Sequence, residues 1–369
     1  WTAMGMASRT LSKAQPMSMA MAHPTTSTST RMATASTTPD TQYRLKRYPL
    51  DTIAPIERRQ DQLSRAKRDF DALRQLDSTL VFQPLGVPFS HEQFLVVVTD
   101  YPAGSCYPQF GVDTGLLRRI DRGRFGIYFV ETGANQRGGT VIYDRDGTSI
   151  SLEEADAYDF ESAFSGAGWL HITGITPAIS LPAAGAARAA VEAASAAGLT
   201  VSCDLNFRKK LWNWQPGTGT VDLARETMRG LMPFINVVIA NEEDCDLCLG
   251  IQAGETDVEA GHLNVAAYES VARQIVSEFP DVNTVAITLR ESLSASHNNW
   301  GAMLLDASND TAHFAPLNDQ GEYQPYEIRN IVDRVGAGDS FAGGLIFALT
   351  TPELAAPETA LRYATAASC

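Results

Sequence analysis

Residues 333–345, DRVGAGDSFAGGL, concentrate the residue types that can handle an anion. Gly336, Ala337 and Gly338 have little or no side chain, so their backbone N–H groups can approach a phosphate closely. An apolar helix pattern follows, and its N-terminus adds the positive end of a dipole. Asp339 stands in the first turn. A fixed carboxylate beside an anion cradle suits phosphoryl transfer. It would accept the proton of an attacking hydroxyl while the N–H groups hold charge developing on the phosphoryl oxygens. The same residues also fit an ordinary glycine-rich helix start with an acid in its first turn. Neither the GxxxxGK[ST] loop nor the GxGxxG fingerprint is present here.

Further candidates stand in or just after strand patterns. Arg208 follows LTVSCDL (199–205) and sits in RKK, which reads either as an anion-binding guanidinium or as a solvated basic turn. Asn241 follows INVVIA (235–240) and stands where an N-cap would open the helix EEDCDLCLG. Tyr128 in GIYFVET and Tyr143 in TVIYDR alternate within strand patterns and can be cross-strand packing, and Arg145 follows in the same run. His171 lies within the strand WLHIT (169–173) and reads as a satisfied interior histidine. Cys245 and Cys248 form a single CxxC, and no further zinc ligands stand at a suitable spacing.

GAGDSFAGGL resembles the signature of the PfkB-type, ribokinase-like carbohydrate kinases. The flanking DRV, WLHITGITPA (169–178) and VSCDLNFRKKLW (201–212) resemble the branch that phosphorylates 2-keto-3-deoxygluconate. ANEED (240–244) resembles the family's Asn-x-x-Glu motif, with Asp244 in the last place. The resemblance runs from about Gly111 to Cys369. It implies Asp339 as the catalytic base and Gly336, Ala337 and Gly338 as the anion hole. Asn241 and Asp244 would organise Mg²⁺ indirectly, through waters and phosphate. Arg208 would meet substrate and phosphate, and Tyr128, Tyr143 and Arg145 would contact the sugar acid. Asp333 would help hold a monovalent cation.

The implied reaction moves a phosphoryl group from ATP to the terminal hydroxyl of 2-keto-3-deoxygluconate, with Mg²⁺ as cofactor, and gives the 6-phosphate. A planar carboxylate on the substrate suits a guanidinium, which can bind it with two parallel hydrogen bonds. Another sugar kinase such as a fructokinase, or a non-catalytic nucleotide-binding remnant, are the alternatives. Self-association through the lid is a further implication. The Gly-Gly-x-x-x-Asn segment that such relatives wrap around the sugar is not found in 81–110, and the chain stops inside a helix pattern. Both ends of the domain are therefore expected to be incomplete.

These residues need elements to place them. From about residue 125, β-type runs alternate with helix patterns at 183–197, 221–231, 265–279 and 338–349. Further strands are expected at NTVAITL (283–289) and WGAMLL (300–305). Such alternation predicts an α/β fold, a mostly parallel sheet covered on both faces, with ligands at the carboxyl ends of the strands. The resemblance refines this to a ribokinase-like three-layer sandwich with a small β-lid near 126–145. Residues 81–369 are expected to form the kinase domain.

Composition separates the beginning of the chain from the rest. Residues 1–80 hold 12 basic and 7 acidic side chains, whereas 81–369 hold 17 and 36. The first acid is Asp40. A Met-, Ser- and Thr-rich stretch of this kind buries no core, so 1–80 is expected to be a low-complexity or disordered extension. Residues 56–76 read as a polar amphipathic helix. A net charge of −14 argues against nucleic acid or an anionic membrane as partner. Five scattered cysteines fit a reducing compartment. The expected location is the cytoplasm, or an organelle if 1–39 is a transit peptide.

Overall fold

The computed structural model describes residues 48–49, 93–98, 113, 115–118, 120–124, 126–131, 140–252, 265–331 and 335–369. The helix expected at 56–76, Asp333 and most of 81–110 lie outside the described residues. The chain divides into two units. One contains Arg9–Leu76 and Pro88–Phe94. In it, strand β1 (Tyr48–Pro49) pairs antiparallel with the start of β2 (Gln93–Val98). The other unit holds Leu95–Cys369, and with it every candidate site residue.

The smaller sheet of this second unit is the lid. From Leu95 onward β2 pairs antiparallel with β3 (Ile127–Glu131), and β3 with β4 (Thr140–Asp144). The register sets Tyr128 directly opposite Tyr143.

The larger sheet begins with four parallel strands: β5 (Trp169–Thr173), β6 (Thr200–Asp204), β7 (Val237–Ala240) and β8 (Thr284–Ser294). β9 (His297–Asp306) folds back antiparallel on β8. β10 (Thr311–Ala315) and β11 (Tyr326–Arg329) share the other edge of β9. β8 and β9 are longer than their apolar cores suggested, because the hairpin that joins them continues the pairing through polar residues. β7 begins at Val237 rather than 235, since a 3₁₀ turn with Pro233 occupies 232–234.

Short helices α1 (Ser149–Leu152), α2 (Phe160–Phe164) and α3 (Ile175–Ile179) flank the start of the larger sheet. The longer ones are α4 (Leu181–Ala196), α5 (Thr220–Leu231) and, after the short α6 (Glu242–Asp244), α7 (Val265–Glu278). α4 starts two residues earlier than expected, because the Ser180 side chain accepts a hydrogen bond from Ala183 N and caps it.

β5 to β8 step across the sheet in one direction, and right-handed crossovers then place their helices on one face. Val191, Met228 and Ile275 accordingly pack with Leu170, Val201, Val238 and Val285. The opposite face is covered by two later helices, α8 (Ala337–Thr350) and α9 (Pro357–Ala367). Phe341, Leu345 and Leu361 there meet Val237, Ile239 and Leu304. β7 is therefore buried on both sides, which is why its sequence is apolar throughout. The three-layer α/β arrangement expected from the sequence is present.

One glycine is fixed by crowding where β5 ends. A side chain on Gly174 would intrude on the Leu205 carbonyl oxygen, 3.0 Å from its carbon. Gly185, exposed within α4, would meet nothing within 4 Å. Gly174→Ala is expected to lower thermal stability, by about 1–3 kcal/mol or more, because the obstacle is backbone. Gly185→Ala should raise it by about 0.5–1 kcal/mol through helix propensity. Paired melting curves check both signs.

Candidate active site

The site forms where β5, β6 and β7 end. Gly174 N donates to Asp204 O at 2.8 Å, which draws the turn after β5 against the end of β6. The chain then bends sharply at Asn206, which adopts the left-handed φ of 40°. Its side chain explains why a non-glycine residue tolerates that bend. Nδ2 donates to Thr173 Oγ1 at 3.1 Å, and Asn is among the residues that enter this region most readily. Beyond the bend, Arg208 is half-buried and donates through Nη1 to Phe207 O at 2.9 Å. Buried Leu211 and Trp212 anchor the adjoining turn.

After β7, Asn241 and Asp244 cap each other. Asn241 Oδ1 accepts from Asp244 N at 2.8 Å, and Asp244 Oδ2 accepts from Asn241 N at 3.4 Å. The expected N-cap is present, and the helix it opens is one turn of α6 running into a π turn over Cys245–Leu249. The other oxygen of Asp244 accepts from Phe207 N at 3.0 Å. This buried carboxylate thus ties the Arg208 turn to the end of β7.

Asp204 was not singled out from the sequence, yet the structure places it at the centre. Part of its surface is open, but protein packs densely around its carboxyl and pushes it up to about 8. The Asp244 and Asp339 charges push the same way, whereas Arg208 and the Asn206 N–H oppose. Burial also raises Asp244, to about 6, against the Phe207 N–H, Arg208 and the Asn241 N–H. A polar residue at the carboxyl end of a parallel strand was the available signal for Asp204.

α8 begins at the same place. Gly336 caps it with a left-handed φ of 89°, and Ser340 N donates to Gly336 O at 2.8 Å. Among the described residues, added side chains at Gly336 and Gly338 would meet nothing within 4 Å. Asp339 is exposed there, close enough for its charge to act on Asp204.

The lid candidates form a second group. The Tyr128 and Tyr143 rings lie 6.5 Å apart, tilted by 43°, and the Arg145 guanidinium sits 5.9 Å from the Tyr143 ring centre. Arg145 is buried, and burial lowers its guanidinium from the ordinary value, with Tyr143 and Tyr128 acting the other way. Tyr143 also packs against the main core, so packing and ligand contact are both open to it. Lys210 Nζ donates to Val141 O at 2.8 Å and joins the two groups.

His171 behaves as the sequence suggested. Its Nδ1 lies 2.8 Å from Ser202 Oγ, which also accepts from Trp169 Nε1, and burial lowers its pKa to about 4. Cys203, Cys245 and Cys248 are buried thiols, and burial raises the pKa of Cys203 and Cys248. Among the described residues no three His, Cys, Asp or Glu side chains gather closely enough to hold a metal alone. Asp204 and Asp244, whose repulsion a cation would relieve, fit Mg²⁺ that shares its coordination with phosphate and water. No described helix is long and apolar enough to cross a membrane.

The model of the pfkB family carbohydrate kinases matches residues 302–369. A solved 2-dehydro-3-deoxygluconokinase from Thermotoga maritima is 40% identical, with a TM-score of 0.60, over 71% of each chain. The chain belongs to the PfkB family of carbohydrate kinases. A curated 2-dehydro-3-deoxygalactonokinase from Haloferax volcanii is 28% identical over 68% of this chain, which spans 65% of that relative's length. A PfkB family carbohydrate kinase from Listeria grayi shares the fold at 24% identity, with a TM-score of 0.59 over 71% of this chain and 72% of that one.

The raised Asp204 pKa carries a definite pH dependence. Folding shifts it upward, so the folded state holds the proton more firmly and loses stability as pH rises from about 4 through about 8. His171 is shifted downward and acts oppositely between about 6.5 and 4. Asp204→Asn leaves His171 in place, so the difference between the two proteins reads Asp204 together with its coupled neighbour Asp244. In magnesium-free buffer the melting temperature of the variant should gain on the wild type as pH rises from 5 to 8.5. A constant difference would show that Asp204 titrates normally.

Proposed function

We propose that the chain is an ATP-dependent sugar kinase that phosphorylates the terminal hydroxyl of 2-keto-3-deoxygluconate to give the 6-phosphate. The observation that carries this reading is the meeting of exposed Asp339, at the N-terminus of α8, with Arg208, Asp204 and Asp244. The name of the 40% identical Thermotoga maritima structure supports the substrate class.

In this reading Asp339 accepts the proton of the attacking hydroxyl. The backbone N–H groups of Gly336, Ala337 and Gly338 receive the transferring phosphoryl oxygens, with the α8 dipole behind them. Arg208 meets the phosphoryl group and the sugar. Arg145 takes the sugar-acid carboxylate, and Tyr128 and Tyr143 supply apolar faces and hydroxyls. Magnesium held through water and phosphate near Asn241 and Asp244, with Asp204 beside them, would supply positive charge to the nucleotide phosphates. A second reading, the 4-epimeric 2-keto-3-deoxygalactonate as substrate, is favoured by the Haloferax volcanii relative.

Release of ADP with each of the two epimeric sugar acids and with fructose decides among these readings. Turnover of fructose in preference to both acids would sink the sugar-acid assignment. Asp339→Asn should retain ATP binding and lose about 10²–10⁴-fold in turnover. Arg145→Ala and Arg208→Ala should each weaken the sugar acid by about 1.5–3 kcal/mol, read from kcat/KM, with less effect on ATP. A change confined to the ATP KM would assign both arginines to the nucleotide.

A further inference from the structure

One contact between the lid and the body involves neither the anion site nor the sugar-acid residues. Lys210 Nζ donates to Val141 O at 2.8 Å. β4 is the outermost described strand of the lid sheet, so its outward carbonyls have no further described strand to bond. An ammonium, with three donors and no acceptor, can bind such a carbonyl without needing anything in return.

The positions of the two partners matter. Lys210 stands two residues from Arg208 on a turn that is held firmly. Phe207 N is bound by Asp244, Leu211 N donates to Arg208 O at 2.9 Å, and Leu211 and Trp212 are buried. Val141 stands two residues from Tyr143 and therefore on the same face of β4, and Arg145 follows that strand directly. The Lys210–Val141 bond thus links the turn that carries Arg208 to the strand that carries Tyr143.

We propose that Lys210 is a positioning residue that sets the lid over the sugar-acid site, holding Tyr143 and Arg145 at the right spacing from Arg208 without touching substrate. The proposal rests on the sugar-acid reading of those three residues. A nucleotide bound at the start of α8 does not depend on this spacing, so the effect is confined to the sugar side.

The test compares Lys210→Met, which keeps the aliphatic stem but removes the donors, with Lys210→Arg, which restores them. On the full chain, steady-state kinetics are measured for sugar acid and for ATP, and hydrogen exchange is followed at 140–144 without substrate. Lys210→Met should raise the sugar-acid KM about two- to tenfold, the factor expected for one hydrogen bond. The kcat and the ATP KM should stay within about twofold, and exchange at 140–144 should quicken. Lys210→Arg should reverse both changes. Unchanged exchange at 140–144 in the Met variant overturns the proposal, as does an equal rise in both KM values or a lack of rescue by Arg. Should the wild type turn over neither sugar acid, the functional reading fails. The exchange data still decide whether Lys210 holds the lid.

Discussion

Two carboxyl groups, Asp204 and Asp244, crowd together under protein at the carboxyl ends of β6 and β7. Such a pair is costly, because burial disfavours each charge and each disfavours the other. The surroundings are arranged to offset that cost. Backbone N–H groups of Phe207 and Asn241 donate to Asp244, and the Arg208 guanidinium stands close to both acids. The same donors fix the turn that carries Arg208. The interaction that makes the acids tolerable thereby also places Arg208 beside them.

The fold brings the remaining charge to this point by a constraint on sheet geometry. Strands β5 to β8 advance in one direction, so their crossover helices occupy one face. The other face would stay bare without helices from later in the chain. α8 and α9 cover it, and α8 starts at the carboxyl ends of the strands. A helix needed for packing thereby presents its positive end and Asp339 to the site. Gly344 permits the close approach of α8 to α9, since a side chain there would stand 3.0 Å from Ala367 Cβ.

Legibility in the sequence differed from residue to residue. Asn241 was readable as a helix cap because capping is local, decided within four residues. Asp339 and Gly336 were readable because a glycine-rich helix start is local as well. Tyr128 and Tyr143 were visible as strand residues, but their facing one another depended on the β3–β4 register. Asp204 went unremarked, since nothing in SCDLN separates an acid whose pKa is raised from an ordinary solvated one. Its raised pKa comes first from the protein packed around it, then from Asp244 and Asp339, both distant in sequence, against the opposing Arg208. Gly174 likewise looked like a loop glycine until the Leu205 carbonyl was seen to lie against it.

By itself the sequence determined the α/β class, the places of most strands and helices, and the glycine-rich helix start that carries Asp339. Each of these rests on periodicity, capping or backbone freedom over short stretches, where the chain's own covalent geometry decides the outcome. Only the tertiary structure decided which acids lose their ordinary pKa, which glycine cannot be replaced, and which lysine reaches the lid. Those properties depend on desolvation and close approach between segments separated by 31 to 135 positions, such as Gly174 with Leu205, Lys210 with Val141 and Asp204 with Asp339. Distance along the chain carries no information about such contacts until the sheet has set the order of its strands.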